Sequence, residues 1–403
     1  MLEWLRGHDP GRLYLKTTDA SITYGEMVTA VEGRQVSGTE VLRPWPYRSS
    51  VVDLLAVMSK GSAIIAAEDG PELVTIDAAG AASVIFTSGT SGGSRAARLT
   101  RANWEAAARA SVEHLGHGSE DLWLLAMPLH HVGGLSILLR SAFIGGGVKM
   151  LPGFEPAAFA RELHDEVTMA SVVPTMLSRV LDADPGPYDG LRAVLVGGGP
   201  IPDDLLERAG EARLPVLPTY GMTETCGQVA TLRPGSRLEN RAHPLPGVEI
   251  RIETDGRIAV RGPMVSPGYV GETDRAPDQW FVTGDLGEID ADGALRVIGR
   301  ADTLIISGGE NIDPTMVETA LARVPGVESA MVVGVPSEQW GTEVVCLYVG
   351  DAGSIRIQSH LRDRLPSFMI PKRFVRVQTL PMTAMGKLDR AEAMRMVSEA
   401  GAR

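Results

Sequence analysis

Between Ser83 and Pro218 short apolar runs alternate with stretches of helical periodicity, and this alternation limits the fold more than any other feature of the chain. Val84-Ile85-Phe86 precedes a helical pattern over Asn103 to Leu115, and Leu122 to Ala126 precedes one over Leu135 to Phe143. Met169 to Val173 is followed by Pro174 to Leu181, and Ala193 to Val196 by Pro202 to Gly210. Such alternation predicts parallel α/β sheets with helical crossovers. From Val248 to Ile298 the texture changes to hairpins, with Asp255-Gly256 and Asp292-Gly293 as turns between short strands such as Arg257 to Arg261 and Leu295 to Ile298. Beyond Arg300, a helix starting near Pro314, strands at Ala330 to Val335 and Glu343 to Tyr348, and a helix around Ile357 to Leu365 predict a separate small domain. The expected fold class is α/β: a large N-terminal domain over residues 1–299, with parallel α/β sheets and a small β region, and a small α+β C-terminal domain over residues 300–403. No linker-like tract separates them, so the boundary, placed at Gly299-Arg300-Ala301-Asp302, is a short hinge.

Composition agrees with this plan and excludes several functions. A chain of 403 residues exceeds one ordinary core, and 44% hydrophobic with 22% charged residues is the balance of a soluble globular protein. A net charge of -12 argues against a general nucleic-acid or anionic-membrane surface, so any anionic ligand must be met by a few placed groups. Cys226 and Cys346 stand far apart without a C-x-x-C partner, which encodes neither a disulfide framework nor a zinc site and suits a reducing cytoplasm. Met1 to Arg6 has no basic head leading into an apolar stretch, and no run approaches the roughly 20 apolar residues of a membrane span. The chain is therefore expected to be soluble and untargeted.

The strongest local motif is Thr87-Ser88-Gly89-Thr90-Ser91-Gly92-Gly93-Ser94-Arg95, directly after the strand Val84-Ile85-Phe86. Glycines and small hydroxyl residues let backbone amides wrap phosphate oxygens, and Arg95 adds charge, although the spacing and lysine of a Walker A loop are missing. Alone, the run reads equally as a flexible loop. Further motifs follow: Met127-Pro128-Leu129-His130-His131, Gly197-Gly198-Gly199-Pro200, Thr219-Tyr220-Gly221-Met222-Thr223-Glu224, Thr283-Gly284-Asp285, Gly299-Arg300-Ala301-Asp302, Ser307-Gly308-Gly309-Glu310-Asn311-Ile312 and Pro381-Met382-Thr383-Ala384-Met385-Gly386-Lys387. In this order they resemble the superfamily of acyl- and aryl-CoA synthetases, firefly luciferase and nonribosomal peptide adenylation domains. The resemblance spans Thr87 to Arg390, about three quarters of the chain.

What the resemblance implies is an enzyme that joins a carboxylate to the α-phosphate of ATP and then passes the acyl group to a thiol. Two anions must meet in that first step, so the site has to neutralise charge and hold the reactants in line. By resemblance Thr87, Ser88, Gly89, Thr90, Ser91, Gly92 and Arg95 cover the β- and γ-phosphates, Thr223 contacts the α-phosphate, and Glu224 holds Mg2+. Gly198, Gly199 and Pro200, with Thr219, Tyr220, Gly221 and Met222, resemble the adenine slot, and Asp285 with Arg300 the ribose site. Lys387 has the position of the catalytic lysine that bridges carboxylate and α-phosphate oxygens, and His131 is carried as a catalytic and substrate-facing candidate. Asp302 has the place of the hinge about which a mobile C-terminal domain rotates, bringing Ser307, Gly308 and Gly309 to a tunnel for the pantetheine arm. Without the family pattern these residues read as a sheet-end turn, a core tyrosine, a solvated aspartate, an ordinary Gly-Gly turn and a surface lysine.

The chain departs from the family where Ser94-Arg95-Ala96 replaces Pro-Lys-Gly, and its phosphate loop begins early, so an abridged N-terminal subdomain is expected. The stretch Met127 to Arg140, with Val173 to Leu177 and Val196 to Pro200, is similar to o-succinylbenzoate-CoA ligases of menaquinone synthesis. Their substrate carries a second carboxylate, with which Arg140 could pair; the competing reading is an exposed helix arginine. The implied cofactors are ATP, Mg2+ and coenzyme A, and the implied partners are a small carboxylic acid and coenzyme A or another acyl acceptor, with no nucleic acid or membrane and a homodimer left open. Two alternatives stand beside the leading one: another acyl- or aryl-activating ligase, including one that serves an amine or carrier protein, and a catalytically silent nucleotide or acyl-binding module.

Overall fold

Leu122-Trp123-Leu124-Leu125 and Ala193-Val194-Leu195-Val196 are buried at every position, as strands covered on both faces must be. In the computed structural model, which describes residues 1–18, 20–43, 48–65, 78, 80–87, 95–337, 339–381 and 389–401, they lie inside a nine-stranded sheet. Its strand order is His243–Pro244, Gly227–Thr231, Val216–Met222, Ala193–Val196, Met169–Val172, Leu122–Leu125, Gly147–Met150, Leu13–Lys16 and Ser21–Thr23. The neighbours from Val216–Met222 to Leu13–Lys16 run parallel, and the outer pairs are antiparallel. A five-stranded sheet, in order Gly268–Tyr269, Arg95–Leu99, Ser83–Thr87, Ser62–Ile65 and Thr39–Leu42, is parallel over its last three strands. Glu249–Ile252 and Arg257–Arg261 pair across the turn that Asp255-Gly256 provides, with Gly256 at φ +83°.

Local signals start and stop the helices that flank the site. Helix Arg101–Leu115 opens with a capping box, in which Thr100 Oγ1 accepts from Asn103 N at 3.1 Å while Asn103 Oδ1 accepts from Thr100 N at 2.9 Å. Helix Val132–Ile144 closes on Gly145 in the left-handed region, where a residue with Cβ is strained. The sequence pattern predicts a helix next after the strand Val84-Ile85-Phe86. Instead Arg95–Leu99 forms a strand antiparallel to Ser83–Thr87, so the Gly/Ser-rich run joins two arms of a hairpin. Arg95-Ala96-Ala97-Arg98-Leu99 has no β-branched residue to announce it; it is a strand because it finds partners on both edges, Ser83–Thr87 and Gly268–Tyr269.

The chain divides into two units. One comprises Met1–Gly198, Leu205–Thr283 and Glu288–Arg296, the other Gly199–Asp204, Gly284–Gly287 and Val297–Arg403. In the second unit the antiparallel hairpin of Val327–Ser337 and Gly341–Gly350 is extended by Arg373–Arg376, parallel to the latter. Side chains alternate across it: Val332, Val344, Cys346 and Tyr348 join one core with Leu321 and Ile357, while Met331, Val333, Val345 and Leu347 join another with Ala393 and Val397. Helices Pro314–Leu321 and Ser354–Arg362 supply the first core, and helix Arg390–Gly401 the second. The architecture is the mixed α/β fold expected, a large N-terminal body and a small C-terminal one. Among the described residues no helix is long and apolar enough to cross a membrane.

Candidate active site

The phosphate-loop motif is anchored where Thr87 pairs with Arg95 across the hairpin and Thr87 Oγ1 donates to Arg95 O at 3.2 Å. Ser88, Gly89, Thr90, Ser91 and Gly92, between these anchors, lie outside the described residues, as does Lys387. Arg95 itself is committed elsewhere than to open solvent. Its guanidinium carbon stands 3.5 Å from the centroid of the Tyr269 ring, and its Nη2 donates to Glu272 Oε1 at 2.7 Å. Strand pairing explains the stack, because Tyr269 faces Ala97, two residues along from Arg95 on the same side of the sheet. Tyr269 Oη in turn donates to Glu224 Oε1 at 2.6 Å. Burial, with the bond to Glu224, pushes the phenol's pKa well above its usual value, so it remains a donor.

Glu224 follows a backbone that only glycine permits. A Cβ on Gly221 would lie 1.7 Å from Gly227 O, and here the pairing of Val216–Met222 with Gly227–Thr231 slips by a bulge between Tyr220 and Gly221. The turn Thr223–Thr225 then lifts Glu224 out of the sheet, and Ser266 N donates to Glu224 O at 2.7 Å. The donor set fits a hard divalent cation. Glu224 presents one carboxylate whose Oε2 accepts no hydrogen bond among the described residues, and no group of three His, Cys, Asp or Glu exists there that could hold a metal alone. The remaining ligands would be phosphate and water oxygens, the usual arrangement for Mg2+.

Arg140 is buried, with 4% of its surface exposed, which overturns the exposed-helix alternative. Its guanidinium carbon lies 4.7 Å from the Trp123 ring centroid, and Nη2 donates to Gln228 Oε1 at 2.8 Å. Among the described residues its Nη1 has no hydrogen-bond partner. Burial pushes its pKa down to about 9, so the group is still a cation at neutral pH but one short of a counter-charge. Beside it, Ser136, Cys226, Gln228 and Trp104 line a cavity of about 10 Å³. Such a space takes roughly one water or a carboxylate oxygen, so an aromatic ring would meet Arg140 only through its polar tip. Sequence reasoning missed Gln228, which also accepts from Ser111 Oγ at 2.8 Å and donates through Nε2 to Thr231 Oγ1 at 2.9 Å. Thr231 Oγ1 lies 2.8 Å from Thr219 Oγ1, so one hydrogen-bond chain runs from Arg140 to the adenine-slot motif.

Tyr220 packs partly buried against the large core, and Gly198 adopts φ +78° after strand Ala193–Val196. Gly199 and Pro200 are grouped with the second unit. His131 occupies the N-cap position of helix Val132–Ile144 without a side-chain capping bond, its ring 4.4 Å from that of His130; although the residue is exposed, surrounding protein atoms desolvate the imidazole and lower its pKa. In the second unit, Arg300 stands between two carboxylates, with Nη1 3.4 Å from Asp285 Oδ1 and Nε 3.2 Å from Asp302 Oδ1. Ser307 pairs with Glu310 across Gly308-Gly309, both at positive φ, a two-residue hairpin turn in which Gly308 N donates to Trp340 O at 3.0 Å. Tyr269 escaped the sequence reading because strand pairing with Ala97 ties it to the motif, and Glu272 because its tie is an ion pair with Arg95, far away in sequence.

A family model described as AMP-binding enzyme matches residues 15–270, and one described as AMP-binding enzyme C-terminal domain matches residues 316–387. A curated relative, the 2-succinylbenzoate--CoA ligase of Bacillus licheniformis, is 40% identical over 341 residues, covering 79% of this chain and 71% of that protein. The ligase of the same name from Listeria monocytogenes is 37% identical over 332 residues, with coverage of 79% and 71%. Among solved structures, o-succinylbenzoate CoA synthetase from Bacillus subtilis in complex with the acyl-adenylate intermediate OSB-AMP superposes with a TM-score of 0.83 at 29% identity, covering 97% of each chain. The same enzyme with ATP and magnesium ion gives 0.82 at 28% identity, covering 98% of each.

Proposed function

Since the chain belongs to the AMP-binding enzyme family, we propose that it is the ATP-dependent acid-thiol ligase that converts 2-succinylbenzoate to its acyl-AMP and then to the coenzyme A thioester. The observation that carries the substrate is the buried guanidinium of Arg140, which lines a small cavity and whose Nη1 has no hydrogen-bond partner among the described residues. A buried cation left short of a counter-charge favours an anion, and the distal carboxylate of 2-succinylbenzoate is one. Simple aryl acids lack it. His131, at the N-terminus of the helix that carries Arg140, faces the body of the acid in this reading.

Each group of residues then has a task. Thr87 to Arg95 encloses the β- and γ-phosphates, and Thr223 orients the α-phosphate for in-line attack by the substrate carboxylate. Mg2+ held by Glu224, when bound, neutralises charge on the phosphates. Thr219 to Met222, with Gly198 to Pro200, receives adenine; Asp285 accepts from the ribose hydroxyls and Arg300 steadies it. Lys387 compensates the negative charge that grows on the oxygens between carboxylate and phosphate as pyrophosphate leaves. Rotation at Asp302 then exchanges Lys387 for Ser307, Gly308 and Gly309, whose turn leaves room for a pantetheine thiol to attack the acyl carbon and release AMP.

Acid-dependent exchange of pyrophosphate into ATP tests the reading across a panel of acids. Exchange with 2-succinylbenzoate at least about tenfold above benzoate or acetate is the expected result. Equal exchange with every acid would leave an adenylating enzyme of another specificity, and no exchange with any acid would point to a binding module.

A further inference from the structure

The Arg95–Tyr269–Glu224 chain has a use beyond packing, and the inference drawn from it rests on the assignment of Glu224 to the cation. Glu224 is half-buried, and within the described residues its side chain accepts one hydrogen bond, from Tyr269. A carboxylate at the end of three rotatable bonds loses entropy when a metal fixes it, and a second group that holds it beforehand recovers part of that loss. Tyr269 is placed to do so. It is 7% exposed, its strand pairs with Ala97, and Val270 N donates to Ala96 O at 2.9 Å, so the backbone behind the ring is fixed. The ring is fixed as well, by the Arg95 guanidinium stacked on its face and paired with Glu272.

We propose that Tyr269 is the positioning residue that aims the Glu224 carboxylate at the bound cation, and that Arg95 holds Tyr269 in that pose. The phenol occupies Oε1 and leaves Oε2 for the metal, so Tyr269 touches neither substrate nor cation. Arg95 begins the strand that closes the phosphate loop, so the same residue joins the loop's end to the metal carboxylate. This also accounts for arginine where the family pattern has lysine: a planar guanidinium can stack on a ring and pair with a carboxylate at once, whereas an ammonium stacks less well. The pair with Glu272 is half-exposed and contributes little to stability, so its effect is on geometry.

The test measures metal binding without turnover. Binding of Mn2+, a paramagnetic substitute for Mg2+, to the full-length enzyme with α,β-methylene ATP is followed by the loss of the free-ion resonance, and metal-free nucleotide affinity is measured separately. Tyr269→Phe keeps the ring and removes only the hydroxyl; it should weaken Mn2+ about tenfold, the lower end of what loss of a ligand-orienting partner costs, with metal-free nucleotide affinity within about twofold. Arg95→Met should weaken Mn2+ in the same direction. If Arg95 acts only on phosphates, Arg95→Met will weaken metal-free nucleotide binding and leave Mn2+ affinity of the nucleotide complex intact, which overturns its part in the proposal. Glu224→Gln separates the two levels. Should Glu224→Gln weaken Mn2+ while Tyr269→Phe binds it like wild type, the positioning role falls and the metal assignment stands; should Glu224→Gln bind Mn2+ normally, the assignment falls and takes the positioning role with it.

Discussion

Replacing Arg140 with Met keeps the length and apolar stem of the side chain and removes only its charge and donors. The structure sets the size of the effect. An exposed ion pair contributes roughly 0 to 1 kcal/mol, which would change selectivity by less than about fivefold. Arg140 is 4% exposed, however, and stacked on Trp123, so a carboxylate bound to it is out of water. Removing one partner of a buried pair costs about 3 to 5 kcal/mol, because the remaining charge is left desolvated. The expected loss in kcat/KM for 2-succinylbenzoate is therefore about 10² to 4 × 10³-fold, the conversion being tenfold per about 1.4 kcal/mol. An aryl acid without the distal carboxylate has no charge to strand and should lose less than about threefold. The assay is pyrophosphate release with each acid at fixed ATP, and the informative quantity is the ratio of the two losses. Gln228 also loses a donor in this variant, but that cost falls on both acids alike and cancels in the ratio. Equal losses would make Arg140 a structural cation with no part in acid selection.

Lys387→Ala should slow acyl-AMP formation by at least about 10²-fold while sparing thioester formation from supplied acyl-AMP, since its charge serves only the first transition state; equal loss of both half-reactions contradicts that. Asp302→Pro should do the reverse, permitting adenylation and blocking the thiol step, because proline fixes φ at the hinge; wild-type thioester turnover would remove the hinge assignment. Burial, reinforced by Arg140, lowers the His117 pKa from 6.5 to about 3. Below pH 6.5 the unfolded chain thus binds a proton that the folded chain refuses, and unfolding free energy falls by up to about 1.4 kcal/mol per pH unit as pH drops toward 3. His117→Phe should flatten that limb of a denaturant-unfolding profile, and an unchanged slope would show that another group carries it.

The parallel strands were legible because burial on both faces writes itself into the sequence as unbroken apolar runs, such as Leu122 to Leu125. The Gly308-Gly309 and Asp255-Gly256 turns were legible for a similar reason: positive φ selects glycine locally. Strand Arg95–Leu99 was not, since nothing in Arg95-Ala96-Ala97-Arg98-Leu99 favours a strand until its neighbours are in place. The site divides along the same line. Glu224, Asp285 and Arg300 could be singled out from motifs that keep their spacing along the chain. Tyr269 and Gln228 could not, because what matters about them is a neighbour 45 or 88 residues away in sequence, Glu224 for one and Arg140 for the other. Arg140 shows the limit most clearly: one helical arginine reads alike whether it faces solvent or core, and only packing around Trp123 and Gln228 decides.

Formation of the coenzyme A thioester of 2-succinylbenzoate is the activity on which every residue role above depends. Its most direct test is a competition in which purified enzyme, ATP, Mg2+ and coenzyme A are given 2-succinylbenzoate together with benzoate and a straight-chain dicarboxylate at equal concentration, and the thioesters are identified by mass. 2-Succinylbenzoyl-CoA should dominate, with AMP released in equal amount. A different thioester in the presence of all three acids, or acyl-AMP that accumulates until an amine or carrier protein is supplied, would contradict it.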